Sequence, residues 1–356
     1  MTSHETHPGQ PGADDARVRD ADSRYADARY ADARDADSRD ADARDAAIDV
    51  VNVTKRFGTH PALNGVSFQV QRGSVFGVIG PNGAGKTTIM RALLDIIRPT
   101  SGHATVLGTD SRHAGPDLRR RIGYLPGELI LDGRVSGRRL LKHYVDISGP
   151  VPDGRIDQLA ERLGVDLDRA VRTLSKGNKQ KLGVIQAFMH SPELLVLDEP
   201  TSGLDPLIQQ EFLSMVKEAS AAGQTIFLSS HMISQIEQAA DDVAILRDGR
   251  ILTIASVEEL RTSAIRHLRV TVSDLTPAEL SARLNTLGGM AELQCSVTAR
   301  GDTEATGVLQ GGIQPFVQAL ATLQLTDLVL EEPDLEESVL TLYSAPDARG
   351  TKPASE

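Results

Sequence analysis

The chain has 356 residues, of which 40% are apolar and only 3% aromatic, with a formal net charge of −11. That length exceeds one average domain and supplies enough apolar surface for a sizeable core, while the acidic balance opposes a nucleic-acid partner, whose phosphates need a basic face. One cysteine, Cys295, excludes an intramolecular disulfide framework and suits a reducing compartment. With no apolar run of membrane length and no basic-then-apolar start, the chain is expected to stay in the cytoplasm.

From Ala21 to Asp45 a five-residue unit repeats as ADSRY, ADARY, ADARD, ADSRD and ADARD. A period of five matches neither the 3.6 of a helix nor the 2 of a strand, so no continuous apolar face forms. Interleaved Asp and Arg keep the segment hydrated, and residues 1–46 are expected to form a disordered tail.

The globular pattern opens near residue 47. Ile48–Val53 and Val66–Val70 read as strands, and Ser74–Ile79 is the nearly continuous apolar run of a strand buried on both faces. Phe57 has two readings, a core residue or a ring that stacks on adenine. Gly80-Pro81-Asn82-Gly83-Ala84-Gly85-Lys86-Thr87-Thr88 fits G-x-x-x-x-G-K-[ST]. Its glycines let the backbone curl so that N–H groups point at a β-phosphate. Lys86 offers a mobile charge to the β- and γ-phosphates, and the Thr87 hydroxyl can ligand Mg²⁺. A helix starting near Lys86, with Ile89, Leu93, Leu94 and Ile97 in its apolar pattern, adds the positive end of its dipole.

Residues 118–126 read as a short strand, and about 129–190 as a helical insertion. There Leu140, Leu141, Tyr144 and Val145 form an apolar face, for a docking partner or for internal packing. The last helix of the insertion is expected over Lys179–His190, with Leu182, Ile185, Phe188 and Met189 on one side and Pro192 past its end. Leu194–Asp198 is an apolar strand ending in two carboxylates, Asp198 and Glu199. A core strand does not end in charge unless a cation or hydrogen bonds offset the desolvation. Beside a phosphate loop, Asp198 reads as a Mg²⁺ ligand and Glu199 as the general base that polarises an attacking water. Thr225–Ser229 repeats the design and leads to His231, whose neutral imidazole can bridge Glu199, water and a γ-phosphate, or can simply cap a loop. Residues 242–247 and Ile251-Leu252 flank the turn Arg247-Asp248-Gly249-Arg250. This alternation predicts an α/β domain with a largely parallel central sheet.

Past residue 262 the pattern shifts. A strand at 268–272, a helix at 277–287, strands at 292–298 and 305–310, a helix at 315–323 and a strand at 325–331 give the order βαββαβ of a ferredoxin-like unit, with a closing helix at 335–343. The expected division is a tail at 1–46, an α/β domain at 47–262 with a helical subdomain at about 129–190, a small α+β domain at 263–345 and a second tail at 346–356.

Leu174-Ser175-Lys176-Gly177-Asn178 resembles the LSGGQ signature of ATP-binding-cassette (ABC) proteins, and Ser202-Gly203-Leu204-Asp205-Pro206 looks like their D-loop. His231 matches their switch histidine, and Phe57 stands in their aromatic position. On these motifs, over about residues 48–262, the chain is identified as a member of that family. The resemblance implies a P-loop ABC ATPase cassette with a helical insertion, ATP and Mg²⁺ as ligands, and hydrolysis by Glu199 with His231. It also implies a dimer in which Ser175, Lys176, Gly177 and Asn178 meet ATP held by the other protomer, two identical chains being the simpler form.

Two departures stand out. Lys176 and Asn178 occupy positions where the family has Gly and Gln. After Leu125-Pro126, where the family usually places a Gln that contacts Mg²⁺ and links the site to the membrane partner, this chain has Gly127 and then Glu128, whose carboxylate is the candidate replacement. The segment Glu332–Leu340 and the domain order are similar to ATPase subunits of ABC-2-type exporters of the drug and antibiotic-resistance type. The resemblance therefore implies an ATP-hydrolysing subunit at the inner face of the cell membrane that powers a separate permease, without nucleic acid. Two other readings are a soluble ABC-type ATPase acting on nucleic acid or ribosomes, which lacks support in a single acidic cassette, and a non-hydrolysing nucleotide sensor, which Glu199 opposes.

Overall fold

The computed structural model describes residues 46–131, 133–263, 266–286, 289–309 and 313–331. The expected tails, the closing helix at 335–343 and the segment Glu332–Leu340 lie outside these residues, except that Ala46 opens the first strand.

The chain begins with β1 (Ala46–Phe57), β2 (His60–Gln71) and β3 (Val75–Ile79), followed by helix α1 (Lys86–Leu93). Next come β4 (Ser101–Val106), β5 (Thr109–Asp110), α2 (Pro116–Arg120) and β6 (Ile122–Leu125). The insertion supplies α3 (Gly137–Ser148), α4 (Arg155–Leu163) and α5 (Lys176–Phe188). Then follow β7 (Leu194–Asp198), α6 (Pro206–Ala221), β8 (Thr225–Ser230), α7 (Ile233–Ala239), β9 (Asp242–Arg247), β10 (Arg250–Ser256) and α8 (Val257–Ser263).

Six of these strands form one sheet in the order β10-β9-β3-β8-β7-β6. The pairings from β9 to β6 are parallel and β10 alone runs antiparallel, joined to β9 by a turn in which Asp248 and Gly249 have φ of 50° and 73°. Two consecutive positive φ values are the mark of a type I′ hairpin. The apolar runs of β3, β7 and β8 are buried at every position because alternate side chains enter two different cores. Val75, Ile79, Leu195, Leu197, Ile226 and Leu228 pack against the helices on one face. Phe76, Val78, Leu194, Val196 and Phe227 pack on the other, against β1, β2 and α1. Phe68, Phe76 and Phe227 stack there with ring centroids 5.5–6.0 Å apart, within the range where aromatic pairs add to simple burial.

The second core is closed by a four-stranded antiparallel sheet, β2-β1-β4-β5. Of this sheet, the sequence pattern indicated only parts of β1 and β2. The expected strand at 118–126 is divided: Pro116 at the first helical position and Asp117 in the first turn start α2, which buries Leu118 alone, and the strand is Ile122–Leu125. The helix expected at 179–190 starts earlier, at Lys176, because the Ser175 hydroxyl caps it, and ends at Phe188. The apolar face proposed for docking is internal packing: Leu141 is fully buried, and Leu140, Tyr144 and Val145 pack against the helical core.

The C-terminal elements are β11 (Arg266–Val272), α9 (Pro277–Asn285), β12 (Met290–Val297), β13 (Thr303–Leu309), α10 (Ile313–Leu320) and β14 (Leu325–Leu330). Their sheet is antiparallel, in the order β12-β13-β11-β14, so the first and third strands lie at its centre, as the expected ferredoxin-like unit requires. A separate core of Leu268, Val270, Leu280, Leu284, Phe316 and Leu320 joins the sheet to α9 and α10. A capping box at Thr276 and Glu279 starts α9. Cys295 is half-buried, and burial pushes its thiol pKa up. No helix among the described residues is long and apolar enough to cross a membrane.

Candidate functional site

Parallel strands β3, β8 and β7 are neighbours, so their carboxyl ends open on one edge, where open α/β sheets bind ligands. Three polar segments emerge there: the glycine loop after Ile79, the acidic pair after Leu197, and Ser229 to His231.

Gly83 and Gly85 take φ of 85° and 114°, and the loop they allow leads directly into α1 at Lys86. The Lys86 Nζ donates to the Gly80 carbonyl at 2.6 Å and lies 3.2 Å from Glu199 Oε1. Lys86 is buried, so the charge is directed by these contacts instead of by water. A cavity of about 190 Å³ is lined by Asn82, Gly83, Gly85, Lys86, Thr87, Thr88 and Glu199. Pro81 and Ala84 complete the loop, the Ala84 N–H donating to the Pro81 carbonyl at 3.1 Å.

Asp198 is fully buried at the end of β7. The Thr87 hydroxyl donates to its Oδ2 and the Ser229 hydroxyl to its Oδ1, each at 2.6 Å. One hydroxyl and one carboxylate form the hard oxygen set that Mg²⁺ accepts when phosphates and waters complete its shell. These two residues therefore fit the ion. Ser229 also accepts from the Glu199 N–H at 3.1 Å, so one hydroxyl holds both acids in register.

Glu199 has φ of 47°, left-handed backbone that is costly for a residue with a β-carbon. Its Oε2 meets His231 Nδ1 at 2.7 Å, while Oε1 makes no hydrogen bond. From α5, the Gln180 amide donates to the carbonyls of Glu199 and Pro200 at 3.3 and 3.0 Å and so fixes the turn. Gln180 and Ser229 escaped the sequence reading. The only signal for them was an uncharged polar group at an otherwise apolar site.

The other expected residues fall into two groups. Ser175 accepts from the Asn178 N–H at 3.2 Å, and Asp205 from the Ile208 N–H at 3.1 Å, so each starts a helix. The signature and D-loop also touch: a β-carbon on Gly177 would stand 2.7 Å from the Gly203 carbonyl, and the Lys176 side chain lies beside Gly203. Ser202 closes the turn from Glu199, its N–H donating to the Glu199 carbonyl at 3.1 Å, and the Leu204 N–H donates to the Thr201 carbonyl. Phe57 is half exposed, with Lys55 Nζ 5.0 Å from its ring centre, which decides against the core reading. Gly127 brings its backbone against Asp198, a β-carbon there being 3.0 Å from Oδ2, and Glu128, next in the chain, is exposed.

Residues 63–202 match the family model described as ABC transporter. Bacitracin transport ATP-binding protein BcrA of Bacillus licheniformis is 34% identical over 65% of this chain and 76% of its own length. Daunorubicin resistance ATP-binding protein DrrA3 of Streptomyces coeruleorubidus is 31% identical over 83% of this chain and 95% of its own. A solved structure of the ATP binding subunit of an ABC transporter is 27% identical, with a TM-score of 0.56, and covers 60% of this chain and 92% of that one.

Proposed function

This chain belongs to the ABC transporter family as an ATP-binding subunit and ATP hydrolase, and on that footing we propose that two copies close on ATP to drive a separate integral-membrane permease. The supporting observation is the Glu199 carboxylate, set between Lys86 Nζ at 3.2 Å and His231 Nδ1 at 2.7 Å beside the Thr87–Asp198 pair.

In this reading ATP lies in the Gly80–Thr88 loop with adenine on the exposed Phe57 ring. Lys86 and the loop N–H groups neutralise the β- and γ-phosphates. Thr87 and Asp198 would hold Mg²⁺, which would supply positive charge to offset that of the phosphates. Glu199 Oε1, turned toward the Lys86 ammonium, takes a proton from the attacking water, while His231 fixes the other oxygen and faces the γ-phosphate. The N-terminus of α5, from Ser175 to Asn178, supplies N–H donors to the γ-phosphate of ATP on the partner subunit. Hydrolysis removes that contact and opens the dimer.

The relatives BcrA and DrrA3 carry transport and resistance names, which favours export and a place at the inner face of the membrane through the permease. Residues 47–262 form the cassette in this reading and 263–345 an accessory domain. The test is Glu199→Gln with size-exclusion chromatography and phosphate release. ATP binding should persist, turnover should fall by at least about 100-fold, and ATP should hold a stable dimer. A variant that hydrolyses ATP at the wild-type rate, or that stays monomeric with ATP bound, overturns the assignment.

A further inference from the structure

One buried side chain joins the Glu199 turn, the His231 segment and the D-loop. Gln235 lies in α7, beyond His231, and is almost fully buried together with Thr201 and Ser230. Its Oε1 accepts two hydroxyl hydrogen bonds, from Thr201 Oγ1 at 2.6 Å and from Ser230 Oγ at 3.1 Å. Thr201 follows the Glu199-Pro200 turn, and Ser230 directly precedes His231. Ser230 Oγ also accepts from the Met232 N–H at 2.9 Å, so the backbone on both sides of His231 is held. The other half of the amide faces elsewhere: Nε2 donates to Gln209 Oε1 at 3.4 Å and contacts Met232 Sδ at 3.3 Å. Gln209, in α6, donates in turn to the Leu204 carbonyl of the D-loop at 3.0 Å.

We infer that Gln235 is a positioning residue for ATP hydrolysis, its oxygen setting His231 against Glu199 and its nitrogen tying both to the D-loop. The inference rests on the roles given above to Glu199 and His231. An amide suits the task because it is both donor and acceptor and stays neutral, so it links three loops without placing a charge in the core. The buried network is satisfied at each of these atoms, and networks of this kind specify one geometry instead of many. The geometry it fixes is the one that matters to the reaction, since a shift of a fraction of an ångström between base and switch histidine slows chemistry without weakening nucleotide binding.

The test is steady-state hydrolysis by the full chain, comparing Gln235→Met, Thr201→Val and Gln209→Met. Each replacement keeps the volume and removes hydrogen bonds. Gln235→Met should lower kcat about tenfold or more and leave KM for ATP within about twofold. Thr201→Val and Gln209→Met should each give a smaller loss, and either one combined with Gln235→Met should be no slower than Gln235→Met alone. Unchanged kcat per folded molecule with a lowered Tm would reduce the network to a structural role and overturn the inference, as would fully additive losses. If Gln235→Met does not fold, the two outer variants still decide the matter by their kcat. Turnover by Glu199→Gln would instead overturn the base assignment, whatever the Gln235 variants do.

Discussion

β8 and β14 are both six residues long, yet β8 is buried at every position while β14 is exposed at four and half-buried at two. β8 lies between two cores, and the only way to place a polar group in it is to satisfy that group, as Ser229 does with Asp198 and Glu199. β14 is the edge of a sheet with helices on one face, so its Thr326 and Asp327 need no partner but water. The difference shows where function can be stored. A strand buried on both faces converts its carboxyl end into a rigid platform, and a half-solvated edge strand does not.

Emptying each core separates the two roles. Phe227 and Phe316 are both almost fully buried, the first in the central stack and the second in the C-terminal core. Phe227→Ala should cost about 3–5 kcal/mol and abolish turnover, because the strand that carries Ser229 and His231 loses its support. Phe316→Ala should cost a similar amount locally, yet leave hydrolysis per folded cassette within about twofold. Thermal unfolding followed beside phosphate release checks both, and equal loss of turnover would refute the division of labour.

Glycines sharpen the contrast further. At Gly177 a β-carbon would meet the Gly203 carbonyl at 2.7 Å, whereas at Gly307 in β13 the nearest atoms are 3.3 Å away. Gly177→Ala should therefore separate the signature from the D-loop and slow hydrolysis by about tenfold, a cost of about 1–2 kcal/mol. Gly307→Ala should be nearly silent in the same phosphate-release assay.

The smallest effect concerns acid. Burial lowers the pKa of His190, just beyond α5, from its ordinary value of 6.5, with a backbone contact at Ile122 offsetting part of the shift. Folded chains then bind this proton less readily than unfolded ones, so the stabilising contribution is complete above 6.5 and falls as pH drops from there toward the lowered value. His190→Leu should flatten that fall. Tm measured at about pH 7.5 and about pH 5.5 should differ less in the variant than in the wild type.

Much of the cassette could be read from residues alone because burial on both faces leaves a plain trace: Val75–Ile79, Leu194–Asp198 and Thr225–Ser230 are apolar runs that end in chemistry. β4 left no such trace, since only Ala104 and Val106 of Ser101–Val106 are buried and the rest is exposed or half-buried. α2 was concealed by a Leu followed by three Arg, although Pro116 was available as a start signal. Leu140 to Val145 left two readings open because an apolar helix face looks the same whether it meets a partner or its own core. Glu199 and His231 were legible by type. Their support by Gln180, Ser229 and Gln235 was not, because an amide or hydroxyl in a core says nothing until its partners are placed.

Glu199 has one further consequence, through its left-handed backbone. Holding a glutamate in that conformation costs about 1–3 kcal/mol relative to a residue that accepts it freely. Glycine accepts it without penalty, and asparagine with little. In evolutionary terms the position is therefore not level ground. A lineage released from the need to hydrolyse ATP would relieve this strain by replacing Glu199 with glycine or asparagine, so drift toward those two residues runs downhill.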